Sequence, residues 1–317
     1  MEVYPRREPI VEDGATYFRA PIASHVTYTN ILGFKGGISL PLPAIIKGRA
    51  EIIKGKNDIE VICEVEEIKE ALNDGIEKFK EYLGVEFRIS IHVEMPSEIF
   101  QCLKNHTIAS VIISTLNVIN FLLRRPLDFR GLRLFIMDLG RRVHSGYALL
   151  IQDGSMAVSV LYNAISITTG GEILVSRKMP GGIYGIIVKL SERGVGKYPI
   201  KEMMEGELID KSAKLSFILE NLYPTLANFD INVFGDRLAT LHFLGSKFAE
   251  LYAYRLMDTV ATLRGMINSG LIALYAVPSF SRVALLISDK HPVEHPFSEI
   301  YVGKYTNFSY FDIASEK

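Results

Sequence analysis

The chain has 317 residues, 48% of them hydrophobic and 22% charged. That is enough to bury the core of one large domain or two intimately packed ones without disulfide or metal staples. Its 35 basic and 36 acidic residues leave a formal net charge of −1, so the sequence predicts neither a nucleic-acid nor a membrane partner and favours a small ligand. With two cysteines, Cys63 and Cys102, and a polar start lacking an apolar signal segment, a cytoplasmic location is expected.

In chain order, residues 17–63 are rich in β-branched and aromatic side chains. Gly33, Gly36, Gly37, Pro41, Pro43, Gly48 and Gly55 punctuate them, which predicts several short strands joined by turns. Val65, Ile68, Leu72, Ile76 and Phe79 recur at helical spacing and stop near Gly84, an amphipathic helix. Phe87, Ile89, Ile91 and Val93 alternate with polar residues as in a half-buried strand. From Asn105 to Leu123 apolar residues occupy every face. Ser110, Ser114, Asn117 and Asn120 interrupt that run, which favours a central buried helix over a membrane span. A shorter helix is expected over Gly131–Leu139, and Asp153-Gly154 between the apolar runs Tyr147–Ile151 and Ala157–Tyr162 predicts a β-hairpin. Beyond the strand Ile183–Leu190 the chain reads as helical from Ile200 to Asn268, then as strands near Leu271–Ala276 and Val283–Ile287. The expected class is α/β (α+β), with domains at 1–180 and 181–317 packed closely together.

Several segments, in order from Phe18 to Ile287, resemble the GHMP superfamily and within it the β-ribofuranosylaminobenzene 5′-phosphate synthases, archaeal transferases of methanopterin biosynthesis. Ala20-Pro21-Ile22-Ala23-Ser24-His25 and Gly36-Gly37-Ile38-Ser39-Leu40 are similar to the family's opening strand and its G-G-I-G-L turn. Gly36 and Gly37 there read either as a turn that lets backbone approach a ligand or as a plain hairpin turn. Gly140-Arg141-Arg142-Val143-His144-Ser145-Gly146 is similar to G-R-G-x-x-S-G-I-G, while Asp230-Ile231-Asn232-Val233-Phe234-Gly235 and Gly245-Ser246-Lys247-Phe248 are similar to the family's C-terminal helix motifs. The resemblance implies a two-lobed fold: mixed sheets around a central buried helix, and a C-terminal helical, ferredoxin-like lobe.

Two motifs depart from the family. Its phosphate loop, roughly P-x-H-x-G-L-G-S-G-T-Q, holds phosphate on backbone amides; the matching Pro96–His106 has Phe100, Cys102 and Lys104 where glycines would stand. The terminal G-x-G-Q-S-S-W-G-P is matched by Leu274–Arg282, also without glycine, and Tyr147 follows Gly146 where the kinases carry an aspartate. Lys104, Arg141, Arg142 and Arg282 fall on motif segments and read either as solvated surface or as cations replacing lost amides around a phosphorylated ligand, with Ser145 beside them. No His or Cys pair has zinc-site spacing, so no metal and no cofactor is assigned. Three functional readings follow: a non-catalytic or regulatory protein, as a homodimer or in complex with an intact paralogue; a phosphoribosyl-transfer synthase; and an ATP-dependent small-molecule kinase.

Overall fold

The structure, a computed structural model, describes residues 5, 7–31, 34–55, 57–170, 172–190, 216–228, 230–306 and 310–312. The start of the expected second-half helical region, residues 200–215, lies outside them. Contacts divide the chain into two units, one made of Met1–Ala23, Ala44–Asn163 and Asn307–Lys317, the other of Ser24–Pro43 and Ala164–Thr306.

The stretch expected to hold several short strands holds two long ones, β1 (Gly14–Ile31) and β2 (Phe34–Ile53), followed by β3 (Asp58–Ile62). Both long strands run through the two units. Gly36, Gly37, Pro41, Pro43 and Gly48, read as turn signals, lie within β2, whereas Gly55 does sit in a turn after it at φ 93° and Gly33 lies outside the described residues. A Cβ on Gly48 would meet the Phe18 ring and the His92 carbonyl, and the Pro43 ring lies where a Cβ on Gly185 would go. Glycine inside a strand marks such an approach as readily as a turn.

In the first unit, α1 (Glu66–Leu83) ends on Gly84 in the left-handed region at φ 66°, the conformation for which glycine is suited. Strand β4 (Arg88–Glu94) pairs antiparallel with β2 from Lys47↔Glu94 to Ile53↔Arg88, and β3 lies parallel to β4. The short α2 (Ser97–Cys102) leads into α3 (Lys104–Leu122), the expected central helix, with buried residues on every face. Its polar interruptions are satisfied internally: Ser110 Oγ donates to the His106 carbonyl at 2.8 Å and accepts from Ala23 N at 3.0 Å. Asn120 bonds both the carbonyl (2.8 Å) and the amide (3.1 Å) of Leu127. Among the described residues α3 is the one helix long and apolar enough to cross a membrane, and most of its length is buried against protein.

Helix α4 (Phe129–Arg142) is capped by Asp128, which accepts from Gly131 N. The expected hairpin is two helices, α5 (Gly146–Ile151) and α6 (Ser155–Tyr162). Asp153-Gly154 is indeed a turn, with Gly154 at φ 76° and Asp153 Oδ1 accepting from Ser155 N at 2.8 Å. The flanking runs are apolar at nearly every position, so they carry no periodicity to separate helix from strand.

In the second unit, β5 (Ala164–Thr169) pairs with β2 and β6 (Glu172–Lys178). A separate sheet has the order β10-β7-β9-β8 (Ser298–Lys304, Tyr184–Lys189, Val283–Ser288, Leu274–Ala276). After a π-helical turn at Ile218–Leu222 come α7 (Tyr223–Asn228), α8 (Ile231–Leu241), α9 (Gly245–Ala253) and α10 (Met257–Asn268). Asp230 caps α8 by accepting from Asn232 N and Val233 N. Helix α8 packs on β8 through Gly235, whose missing side chain makes room for the Ala273 carbonyl.

Gly235→Ala is expected to cost about 1–3 kcal/mol, because the collision is with backbone. Gly265→Ala, inside α10 with nothing within 4 Å of the new methyl, should stabilise by about 0.5–1 kcal/mol through helix propensity. Urea unfolding of both variants checks the pair; equal effects would refute this packing of α8.

Candidate functional site

The segment that aligns with a phosphate loop is helical. Pro96 starts α2, Leu103 breaks it at φ −131° and ψ 42°, and α3 begins at once. Three of its amides are engaged: Phe100 N donates to Pro96 O (3.2 Å), Leu103 N to Ile99 O (2.8 Å) and Thr107 N to Leu103 O (2.9 Å). An anion nest needs several neighbouring amides pointing at one place, and these three point along helix axes. The Cys102 thiol contacts Ile99 O at 3.4 Å, and burial pushes its pKa up to about 11, so it is not an activated nucleophile. Lys104 Nζ is 2.6 Å from Glu67 Oε1, whose pKa this hydrogen bond lowers.

Residues 140–146 form the corner between α4 and α5, and their glycines are explained by packing. A Cβ on Gly140 would meet Ile151 and the Ala148 carbonyl; one on Gly146 would meet the Asn105 side chain in the first turn of α3. Arg141 and Arg142 end α4, where cations complement the helix dipole. Both are exposed, and Arg142 pairs with Asp138 one turn back at 2.7 Å. Ser145 precedes α5, and its Oγ is shielded from solvent. The nearby Tyr147 phenol has its pKa raised by burial, with its interaction with the Ser145 hydroxyl opposing that shift. Thr107 Oγ1 in α3 is buried and unpartnered. Thus Lys104, Arg141, Arg142 and Ser145 lie in the first unit, around the starts of α3 and α5 and the end of α4.

Gly36, Gly37 and Arg282 belong to the second unit. The expected turn at Gly36-Gly37 is a ladder segment facing Thr169 and Thr168 of β5, with Gly37 N donating to Thr168 Oγ1 at 3.3 Å. Arg282 lies over the Tyr254 ring, 5.9 Å from its centroid. Three of the four cations therefore have a partner of their own: Glu67, Asp138 and Tyr254.

The same unit holds a buried polar cluster that sequence reasoning missed. The Ser279 amide donates to His25 O at 2.7 Å, and its hydroxyl donates to Val26 O at 3.0 Å. With its proton so placed, the hydroxyl accepts from His25 Nδ1 at 3.2 Å; the pair is a tether, not a nucleophile with its base. Lys247 Nζ lies 3.3 Å from Glu250 Oε2, both side chains buried, and Glu250 Oε1 accepts from Phe280 N. Burial lowers the Lys247 pKa, against the carboxylate that raises it. His242 is buried with neither ring nitrogen hydrogen-bonded, and its ring centroid is 5.1 Å from that of Tyr275. Burial, and then the Lys247 charge, hold the His242 pKa well below the ordinary value. A Lys and a Glu three apart on a helix usually mark a solvated face, so the sequence carried no signal of this site. Among the described residues no group of three His, Cys, Asp or Glu is placed to hold a metal ion.

No protein-family model and no curated protein matches the chain by sequence. Solved structures do match it by fold. Mevalonate pyrophosphate decarboxylase from Streptococcus pyogenes superimposes with a TM-score of 0.58 at 11% identity, over 95% of this chain and 99% of that one. Mevalonate diphosphate decarboxylase from Staphylococcus aureus gives 0.57 at 11% identity over 88% and 89%. Homoserine kinase from Cytophaga hutchinsonii gives 0.54 at 13% identity over 92% and 88%. The expected two-lobed GHMP-type α+β fold is thus the fold of this chain.

Lys247→Met leaves Glu250 buried and unpaired and is expected to cost about 3–5 kcal/mol. Adding Glu250→Gln, which removes the orphaned charge but keeps an acceptor for the Phe280 amide, should recover much of that loss in a denaturant double-mutant cycle. Additive losses would show the pair uncoupled.

Proposed function

We propose that this is a divergent GHMP-superfamily protein, related to the β-ribofuranosylaminobenzene 5′-phosphate synthases, that has a non-catalytic or regulatory role, either as a homodimer or in complex with an intact paralogue. The observation that carries this reading is the hydrogen bonding of residues 96–107. The Phe100, Leu103 and Thr107 amides are bonded to carbonyls of their own helices, and Asn105 fills the space beside Gly146. Side chains at Phe100, Cys102 and Lys104 occupy the positions where the family keeps glycine. The partners already held by Lys104, Arg142 and Arg282 weigh in the same direction.

Thr107 Oγ1, a buried hydroxyl without a hydrogen-bond partner in the first turn of α3, favours a second reading: an active synthase that joins phosphoribosyl diphosphate to an aromatic acid such as 4-hydroxybenzoate or 4-aminobenzoate. Buried polar atoms are normally bonded, and an oxyanion would satisfy that hydroxyl. In that reading Gly36, Gly37, Lys104, Arg141, Arg142, Ser145 and Arg282 are the ligand-binding residues. An ATP-dependent kinase is the reading these observations support least.

Isothermal titration decides among them. Neither ATP with magnesium nor phosphoribosyl diphosphate is expected to bind saturably at millimolar concentration. Micromolar binding of phosphoribosyl diphosphate, weakened about tenfold or more by Arg141→Ala and by Arg282→Ala as loss of a charge-assisted bond requires, would establish the synthase instead. Binding of ATP with phosphoryl transfer to a small alcohol would establish the kinase.

A further inference from the structure

Helix α8 lies on β8 along a seam that ends at His242. At one end Gly235 leaves room for the Ala273 carbonyl, and Phe234, Leu238, Ala239 and Leu241 of the helix are buried. At the other end the His242 ring lies 5.1 Å from the Tyr275 ring of β8, centroid to centroid, a distance at which two rings are in contact. Both residues are 0% exposed. Among the described residues neither imidazole nitrogen has a hydrogen-bond partner, and neither does the Tyr275 hydroxyl. His25, equally buried, differs in that its Nδ1 meets the Ser279 hydroxyl. His242 is thus held by ring packing alone, and its surroundings are built for an uncharged ring.

The titratable groups on the elements around α8 offer an imidazolium no counter-ion. Strand β8 brings the Tyr275 phenol. Helix α10 brings Arg264, which bonds Thr240 Oγ1 at 3.4 Å and lies over the Phe243 ring at 5.7 Å, so that it touches the chain on both sides of His242; its Asp258 is exposed. Glu220 of the π-helical turn, Tyr223 of α7 and Tyr252 of α9 are exposed too. On α9, Lys247 and Glu250 are paired with each other, and on α8 Asp236 lies 3.9 Å from its neighbour Arg237. A cation at a helix C-terminus ordinarily gains from the helix dipole. Here the Leu238, Thr240 and Leu241 carbonyls already accept from the His242, Phe243 and Leu244 amides.

We propose that the α8–β8 seam is an acid-release joint: it closes only around the neutral His242 ring, and protonation of that ring parts the end of α8 from Tyr275 of β8. A charge taken out of water without a partner is strongly disfavoured, and a protonated His242 regains water only by leaving the seam. The sign follows from the same burial. The closed form excludes the proton, which holds the His242 pKa well below its ordinary value, whereas the open form exposes an imidazole of pKa about 6.5. The seam is therefore at full strength above about pH 6.5, and each pH unit below that raises the ratio of open to closed up to about tenfold.

Hydrogen–deuterium exchange of peptides spanning α8 and β8, measured on the full chain from pH 7.5 to 5.0 and corrected for intrinsic rates, reads the opening. Wild type should show a rise of about tenfold or more on passing from pH 6.5 to 5.0. His242→Leu, close in volume and losing no hydrogen bond because the imidazole makes none, should fold and show no such rise. No rise in wild type, or the same rise in His242→Leu, overturns the proposal. Should His242→Leu fail to fold, NMR titration of the seven histidines in wild type decides instead. One imidazole must stay neutral to pH 5.0 in the closed form while exchange of α8 rises; protonation of all seven in the closed form overturns the proposal.

Discussion

The first unit depends on burying α3 on every side. In a 19-residue helix with buried residues on every face, polar side chains gain by bonding within the protein, because an unpaired buried group costs more than its bond would contribute. Ser110 and Asn120 do so by turning inward to the helix backbone, to Ala23 of β1 and to Leu127 beyond the helix end. In doing so they fix where β1 lies and how the chain turns towards α4. The glycines follow from the same crowding: Gly75 of α1 faces Ile112 of α3, and Gly146 admits Asn105.

That crowding bears on chemistry at the start of α3. A helix N-terminus attracts anions when its first amides are open and the chain before it is free of side chains. Here a short helix runs almost directly into α3, its last amides and the Thr107 amide bond carbonyls of their own helices, and a lysine at the first position is paired with Glu67. Function resides in a site, not in a fold, and the similarity to decarboxylases and a homoserine kinase at 11% and 13% identity extends to the fold alone.

The second unit carries its buried charges differently. Lys247 pairs with Glu250, and Glu250 accepts from the Phe280 amide, a bonded anchor for the backbone at Phe280. A buried ion pair is weak evidence for stability, since desolvation offsets its Coulomb attraction. What it does provide is a defined arrangement, and the left-handed Phe280, at φ 57°, requires one.

By itself the sequence determined the elements whose side chains alternate between water and core. Helix α1 with its Gly84 stop, strand β4, helix α3 with apolar residues on every face, and strands β7 and β9 are readable because burial on one face, or on all faces, leaves a period of 3.6, a period of 2 or no wholly polar face. It also carried the ordered motif pattern that matches the fold. Only the tertiary structure decided what Gly36, Gly37, Gly48, Gly140 and Gly146 are for, because a glycine that admits a neighbouring strand or side chain looks the same in sequence as one that makes a turn. It decided that residues 146–151 and 155–162 are helical, since short runs apolar throughout have no period. It also gave Lys104 and Arg142 partners and buried Lys247 with Glu250 and His242, because charge pairing and burial are set by residues distant along the chain, which local spacing does not encode.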